Sequence, residues 1–135
     1  MSAVDSVRDF YVLKGPITGN HFTAYRVNVD NWKVDFCPMC GPELTLTQSG
    51  QALCAFMSRN KVYWSTADAG LTDWRLHVGT PAGETDEIYP AAVANRKGDV
   101  LLLWQVGPMA VKGTAIVKWA IYSRDGRPTG ETGVI

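Results

Sequence analysis

Two stretches of this chain nearly repeat one another 48 residues apart, and that self-match constrains the fold more than any single residue does. Pro42-Glu43-Leu44-Thr45-Leu46-Thr47 opens the first stretch, and Pro90-Ala91-Ala92-Val93-Ala94 opens the second. Gly50 falls against Gly98. The apolar run Ala52-Leu53-Cys54-Ala55-Phe56 falls against Val100-Leu101-Leu102-Leu103-Trp104. A recurring unit of about 40–50 residues is a supersecondary block that cannot bury its apolar face alone, so it must stack on a neighbour.

Each unit reads as short strands joined by tight turns. Trp32-Lys33-Val34-Asp35-Phe36 and Glu43-Leu44-Thr45-Leu46-Thr47 alternate apolar with polar or small residues. Further strand signals cover 10–14, 22–27, 52–57, 62–66, 74–78, 91–94, 100–106 and 115–123, with a weak one at 132–135. Period-2 runs bounded by Gly, Pro, Asn and Asp are strands. Ser49-Gly50, Lys97-Gly98-Asp99 and Asp125-Gly126 supply the turn residues between them. No stretch carries helical periodicity. The spacing from Asp68 to Asp125 is 57 rather than 48, and 107–113 supplies the extra residues as an enlarged loop.

Four short strands per unit predict an all-β fold of antiparallel four-stranded blades of a β-propeller. Trp32-Lys33-Val34 resembles Trp74-Arg75-Leu76, so 22–27 and 33–36 read as the outer strands of an earlier, partial unit, with 10–14 as its second strand. The reading is a single domain: a partial blade at 1–36, a blade at 37–85 and a blade at 86–135. Closed propellers typically hold at least four blades. The set is therefore incomplete in one chain, and pairing of two copies as a homodimer is the expected completion. A piece of a longer protein, or a different sheet stack, are the alternatives.

Composition narrows the partners. Thirteen basic and thirteen acidic residues cancel in a chain of 135, so the basic footprint of a nucleic-acid binder is missing. No cationic amphipathic stretch points to a membrane surface. The first residues lack the pattern of a secretory signal, so the expectation is a soluble, cytoplasmic protein unless the N-terminus is trimmed. No cofactor motif is present, and none is expected.

Thr66-Ala67-Asp68-Ala69-Gly70-Leu71-Thr72-Asp73-Trp74 resembles an Asp box, which reads Ser or Thr, any, Asp, any, Gly, any, Thr, aromatic. The aromatic arrives one residue late. The residue types suit a loop staple: Asp68 accepts from its own loop, Gly70 takes a positive φ, and Trp74 plugs the loop against the sheet. Thr66, Asp68, Gly70 and Trp74 are therefore structural. Ser123-Arg124-Asp125-Gly126-Arg127-Pro128-Thr129 is a degenerate second copy.

With the junction Asp30-Asn31-Trp32-Lys33-Val34-Asp35-Phe36-Cys37-Pro38-Met39-Cys40-Gly41-Pro42, this motif makes residues 20–130 resemble the sialidase-like (Asp-box, BNR-repeat) β-propeller family. The resemblance implies a propeller with a ligand funnel about its axis. Sialidases use an arginine triad, an Arg-Ile-Pro motif, a Tyr–Glu pair and an Asp acid. Here Arg26 precedes Val27-Asn28, and the remaining arginines sit in other contexts, so no catalytic residue carries over.

Cys37-Pro38-Met39-Cys40 has the CxxC spacing, but it precedes a strand rather than opening a helix. With Cys54 it gives three thiols, one short of a structural zinc site, so no metal site is assigned. Buried thiols at a crowded junction are the simpler reading.

In a propeller the entrance to each innermost strand faces the axis. Cys40, Glu43, Asp86, Glu87 and Tyr89 are the candidate ligand-binding residues, and Glu87 with Tyr89 forms the weak catalytic candidate. The leading function is a non-catalytic module that binds a glycan, small ligand or partner near the axis. A sialidase-like glycoside hydrolase completed by a second copy or further sequence, and a pure scaffold, are the alternatives.

Overall fold

The computed structural model describes residues 7–34, 40–78, 86–107 and 115–135. Ten strands make up the fold, with no helix among the described residues. β1 (Tyr11–Lys14) and β2 (Thr23–Arg26) form a two-stranded sheet. β3 (Glu43–Leu46), β4 (Ala52–Ser58), β5 (Lys61–Ala67) and β6 (Arg75–Val78) form a second. β7 (Glu87–Ala94), β8 (Val100–Val106), β9 (Ile116–Tyr122) and β10 (Pro128–Val134) form a third. Every pairing is antiparallel, and spatial order follows chain order in all three.

One turn design recurs in both larger sheets. In β3–β4 the Thr47 N–H donates to Gln51 O and the Gly50 N–H to Thr47 O. Asn95, Gly98 and Asp99 repeat that pair of bonds between β7 and β8, as do Ser123, Gly126 and Arg127 between β9 and β10. The glycines sit at φ 81°, 90° and 83°, the left-handed position that closes a type I turn with a bulge. The first residue of each turn adds a side-chain acceptor: Thr47 Oγ1, Asn95 Oδ1 and Ser123 Oγ receive the N–H of Gln51, Asp99 and Arg127. The β4–β5 connection differs. It is the two-residue turn Arg59-Asn60, with φ 51° and 60°, whose twist suits a tight hairpin.

The sheets stack face to face, and the middle one is covered on both sides. Leu53, Ala55, Val62 and Trp64 pack against Ala92, Val100, Leu102, Trp104, Ala120 and Tyr122 of the third sheet. The other face presents Ala52, Cys54 and Phe56 to Val12 and Val27, with Phe10, Tyr25, Tyr63 and Trp74 around the rim. This two-sided cover explains why every residue of β4 is buried. It also pushes the Cys54 thiol up to about 12 by desolvation, so that cysteine is an inert core residue. Trp32, Val34, Cys40, Met57 and Ile88 close a smaller cluster.

The third sheet is covered on one side only among the described residues. Cross-strand pairs Leu103–Trp119, Leu101–Ile121 and Gln105–Val117 put these six side chains on the face away from the middle sheet. All six are half-buried, and Val93 on the same face is 53% exposed.

The N-terminal unit differs from expectation at its last strand. Lys33 makes an isolated bridge to Val7 instead of adding a strand beside β2. A polar network holds the chain there. The Arg26 guanidinium donates to Asp9 and Asn31, Asn28 donates to Asp9 and Asp30, and Ser58 donates to Asp30. Asn28 is 3% exposed and its Oδ1 receives the Phe10 N–H. Bonds that would extend a ladder are taken by side chains. Residues 35–39, Cys37 included, and most of the enlarged loop, at 108–113, lie outside the described residues.

Candidate functional site

Two places concentrate polar chemistry, one at each end of the strands. The first is the start of β7, which holds Asp86, Glu87 and Tyr89. Its geometry depends on an irregularity between Ile88 and Ala91, where the register to β8 shifts. Ala91 pairs with Leu103 on the outward face, whereas Glu87 pairs with Val106 on the inward face. Strict alternation from Ala91 would have turned Glu87 outward. The bulge, with Tyr89 at φ 50°, reverses it.

Glu87 is fully buried as a result. Its Oε2 accepts the Val62 N–H at 2.8 Å, and its Oε1 meets Lys61 Nζ at 3.2 Å. Burial raises the Tyr122 phenol's pKa, and the Glu87 carboxylate raises it further. The carboxylate thus ties the third sheet to β5. The other two residues turn to solvent: Asp86 is exposed and Tyr89 is 46% exposed. Asp86 sits at φ 61°, and its carbonyl receives the Gly107 N–H at 3.2 Å. The five sequence candidates therefore divide. Asp86 and Tyr89 are both exposed at the start of β7, next to the Arg59-Asn60 turn, whose Asn60 carbonyl accepts the Glu87 N–H. Glu43 is exposed, yet its Oε2 takes the Ala92 N–H at 3.1 Å across the sheet interface. Cys40 is 2% exposed within the cluster around Trp32.

The second place is a cleft of about 700 Å³ at the opposite strand ends. The three repeated turns and the loop at 68–74 wall it, and Arg75, Arg96, Lys97 and Arg124 line it together with Asp68, Asp73 and Asp125. No motif pointed to it, because its walls come from four separate turns. Asp68 Oδ1 accepts the Gly70 N–H at 3.1 Å, the local bond expected of an Asp box. The positive φ, however, falls on Leu71 at 63° and not on Gly70. At Gly70 a Cβ would lie 3.2 Å from Asp68 Oδ1, a close approach that the exposed Asp68 side chain would have to yield to by a few tenths of an ångström. Trp74 leans, partly buried, on the cluster around Phe56. Thr66 lies in β5, with Oγ1 3.5 Å from His77 Nε2.

His77 is wedged between the sheets near this cleft. Its ring stacks on Trp64 at 4.0 Å, and a Cβ on Gly126 would lie 2.0 Å from its Nδ1. Burial and then the Arg75 charge lower its pKa. Thr66 Oγ1 lies 3.5 Å from its Nε2, Gly126 packs on its ring between Asp125 and Arg127 of the chain, and Tyr122 is the other aromatic neighbour of Trp64. The unfolded chain then binds more protons than the fold below about pH 6.5, so stability is complete above that value and drains away as pH falls. The thermal midpoint should drop between pH 7.5 and pH 5, and His77→Phe should flatten that slope. An unchanged slope in the variant would remove His77 as its source.

Among the described residues no group of His, Cys, Asp and Glu side chains is arranged to hold a metal ion. No protein-family model matches the chain, and a search of curated proteins finds no match.

Proposed function

We propose that this chain is a non-catalytic β-propeller module of sialidase-like type that binds a glycan at the start of β7, through the exposed Asp86 and Tyr89. Three features support the propeller reading. The two larger sheets are four-stranded meanders with equivalent turns, they stack face to face, and β7 of one lies on β4 and reaches β3 of the other. On that reading β3 and β7 are the innermost strands.

The observation that carries the ligand reading is the bulge in β7. It leaves the Tyr89 ring 46% exposed, three residues along the chain from the exposed Asp86 carboxylate. A phenol face and a carboxylate acceptor suit the apolar face and hydroxyls of a sugar ring. The same bulge argues against hydrolysis. It buries Glu87, the acid that a Tyr–Glu pair would need, and commits both of its oxygens to β5.

Ligand-observed NMR with sialyllactose tests the reading. Binding should be detected with the intact chain and weakened at least about tenfold by Tyr89→Ala, a loss of about 1.4 kcal/mol. Absence of binding, or indifference to Tyr89→Ala, refutes it. A fluorogenic sialoside should stay intact. Turnover abolished by Glu87→Gln would restore the hydrolase reading.

A further inference from the structure

We infer that the open face of the β7–β10 sheet is a junction for a second copy of this chain, which seats its β1–β2 sheet there. The inference rests on the propeller reading above. The argument starts from the 48-residue period. Carrying the register of the middle sheet onto the third sends Leu53 to Leu101 and Ala55 to Leu103. Ala55 pairs with Trp64 and Leu103 pairs with Trp119, so Trp64 corresponds to Trp119. Met57 pairs with Val62 and Gln105 with Val117, so Val62 corresponds to Val117.

Leu53, Ala55, Val62 and Trp64 are the middle sheet's members of the main apolar cluster that it shares with the third, and each is fully buried. Their counterparts Leu101, Leu103, Val117 and Trp119 are all apolar, yet half-buried with no sheet upon them among the described residues. The third sheet thus carries the same receiving surface that the middle sheet uses, with no charged side chain among its six central positions. An apolar face of this kind, contiguous across strands, marks an interaction surface. In a stack of repeats it takes another repeat.

The chain itself has a sheet to offer. The pairs Tyr11–Arg26 and Leu13–Ala24 put these residues on the face of β1–β2 turned away from the middle sheet. Tyr11 is 54% exposed and Leu13 is 64% exposed. Among the described residues, therefore, one end of the stack shows a sheet with no sheet before it, and the other a face with no sheet upon it. Joining the two between copies is a head-to-tail contact, and with two copies the ring closes with both junctions filled.

Light scattering on the eluting chain tests this. The expected mass is twice 14.8 kDa. Val93→Lys and Leu13→Lys change exposed residues at opposite ends, so each should leave the circular dichroism spectrum intact. Each should also weaken the pair at least about tenfold. Mixing the two variants should return the double mass, because one junction is then built from two unaltered faces. A chain that stays at 14.8 kDa, a pair indifferent to Leu13→Lys, or an open ladder of higher masses overturns the inference. A monomer that still binds sialyllactose through Tyr89 removes only the pairing. A dimer that binds none removes only the ligand.

Discussion

Trp64→Ala is expected to destabilise the fold by about 3–5 kcal/mol, enough to consume much of the stability of a domain this size. Trp64 is fully exposure-free and lies at the centre of the contact between the two larger sheets. Its ring stacks on His77 and meets Tyr122 at 5.7 Å in a tilted pair. Among the described residues its indole N–H has no hydrogen-bond partner, and what the side chain contributes there is packing. Two facing sheets cannot close over the void, because their spacing is set by the neighbouring large side chains Leu102 and Trp104. Urea unfolding followed by far-ultraviolet circular dichroism measures the effect. A loss under about 1.5 kcal/mol, the cost of a volume-conserving change, would mean that the sheets do not share this core.

Glu87→Ala should cost about 2–3 kcal/mol, chiefly by leaving the buried Val62 N–H without its charged acceptor. The substitution strips the Val62 N–H of its acceptor and leaves the Lys61 ammonium, 30% exposed, without its partner. Glu87→Gln separates the two contributions. The amide oxygen still receives the Val62 N–H, so the smaller loss of about 1–2 kcal/mol reports the charge alone. Equal losses for both variants would show that the hydrogen bond to Val62 carries no weight. Neither outcome bears on ligand binding, since the carboxylate is shut away from solvent.

The strands were legible because their signals are local. Alternation in 43–47, the apolar runs at 52–57 and 100–106, and glycine at the close of each repeated turn depend only on near neighbours. The bond from the Gly70 N–H to Asp68 Oδ1 was legible for the same reason, but the left-handed residue of that loop is Leu71 and not Gly70. Glu87 was not. Its orientation is decided by a bulge two residues away, and a one-residue shift moves a side chain to the opposite face. Pro90, which cannot donate to a ladder and is at home in a bulge, is the local mark of that shift, but it does not say which way Glu87 turns. The Asp9–Arg26–Asn28–Asp30–Ser58 network was equally hidden, since its members are scattered and meet only after folding. The cleft between the turns belongs to the same class, because its walls come from four separate hairpin ends.

In each larger sheet the strands lie side by side in the order in which they are made. No connection reaches across a neighbour, so a gene segment encoding one whole sheet can be copied in tandem or excised without rewiring any ladder. The products of such a copying event keep their hairpins from the first day. They also inherit both faces of the sheet, as Leu101 and Trp119 stand on the third sheet where Leu53 and Trp64 stand on the middle one.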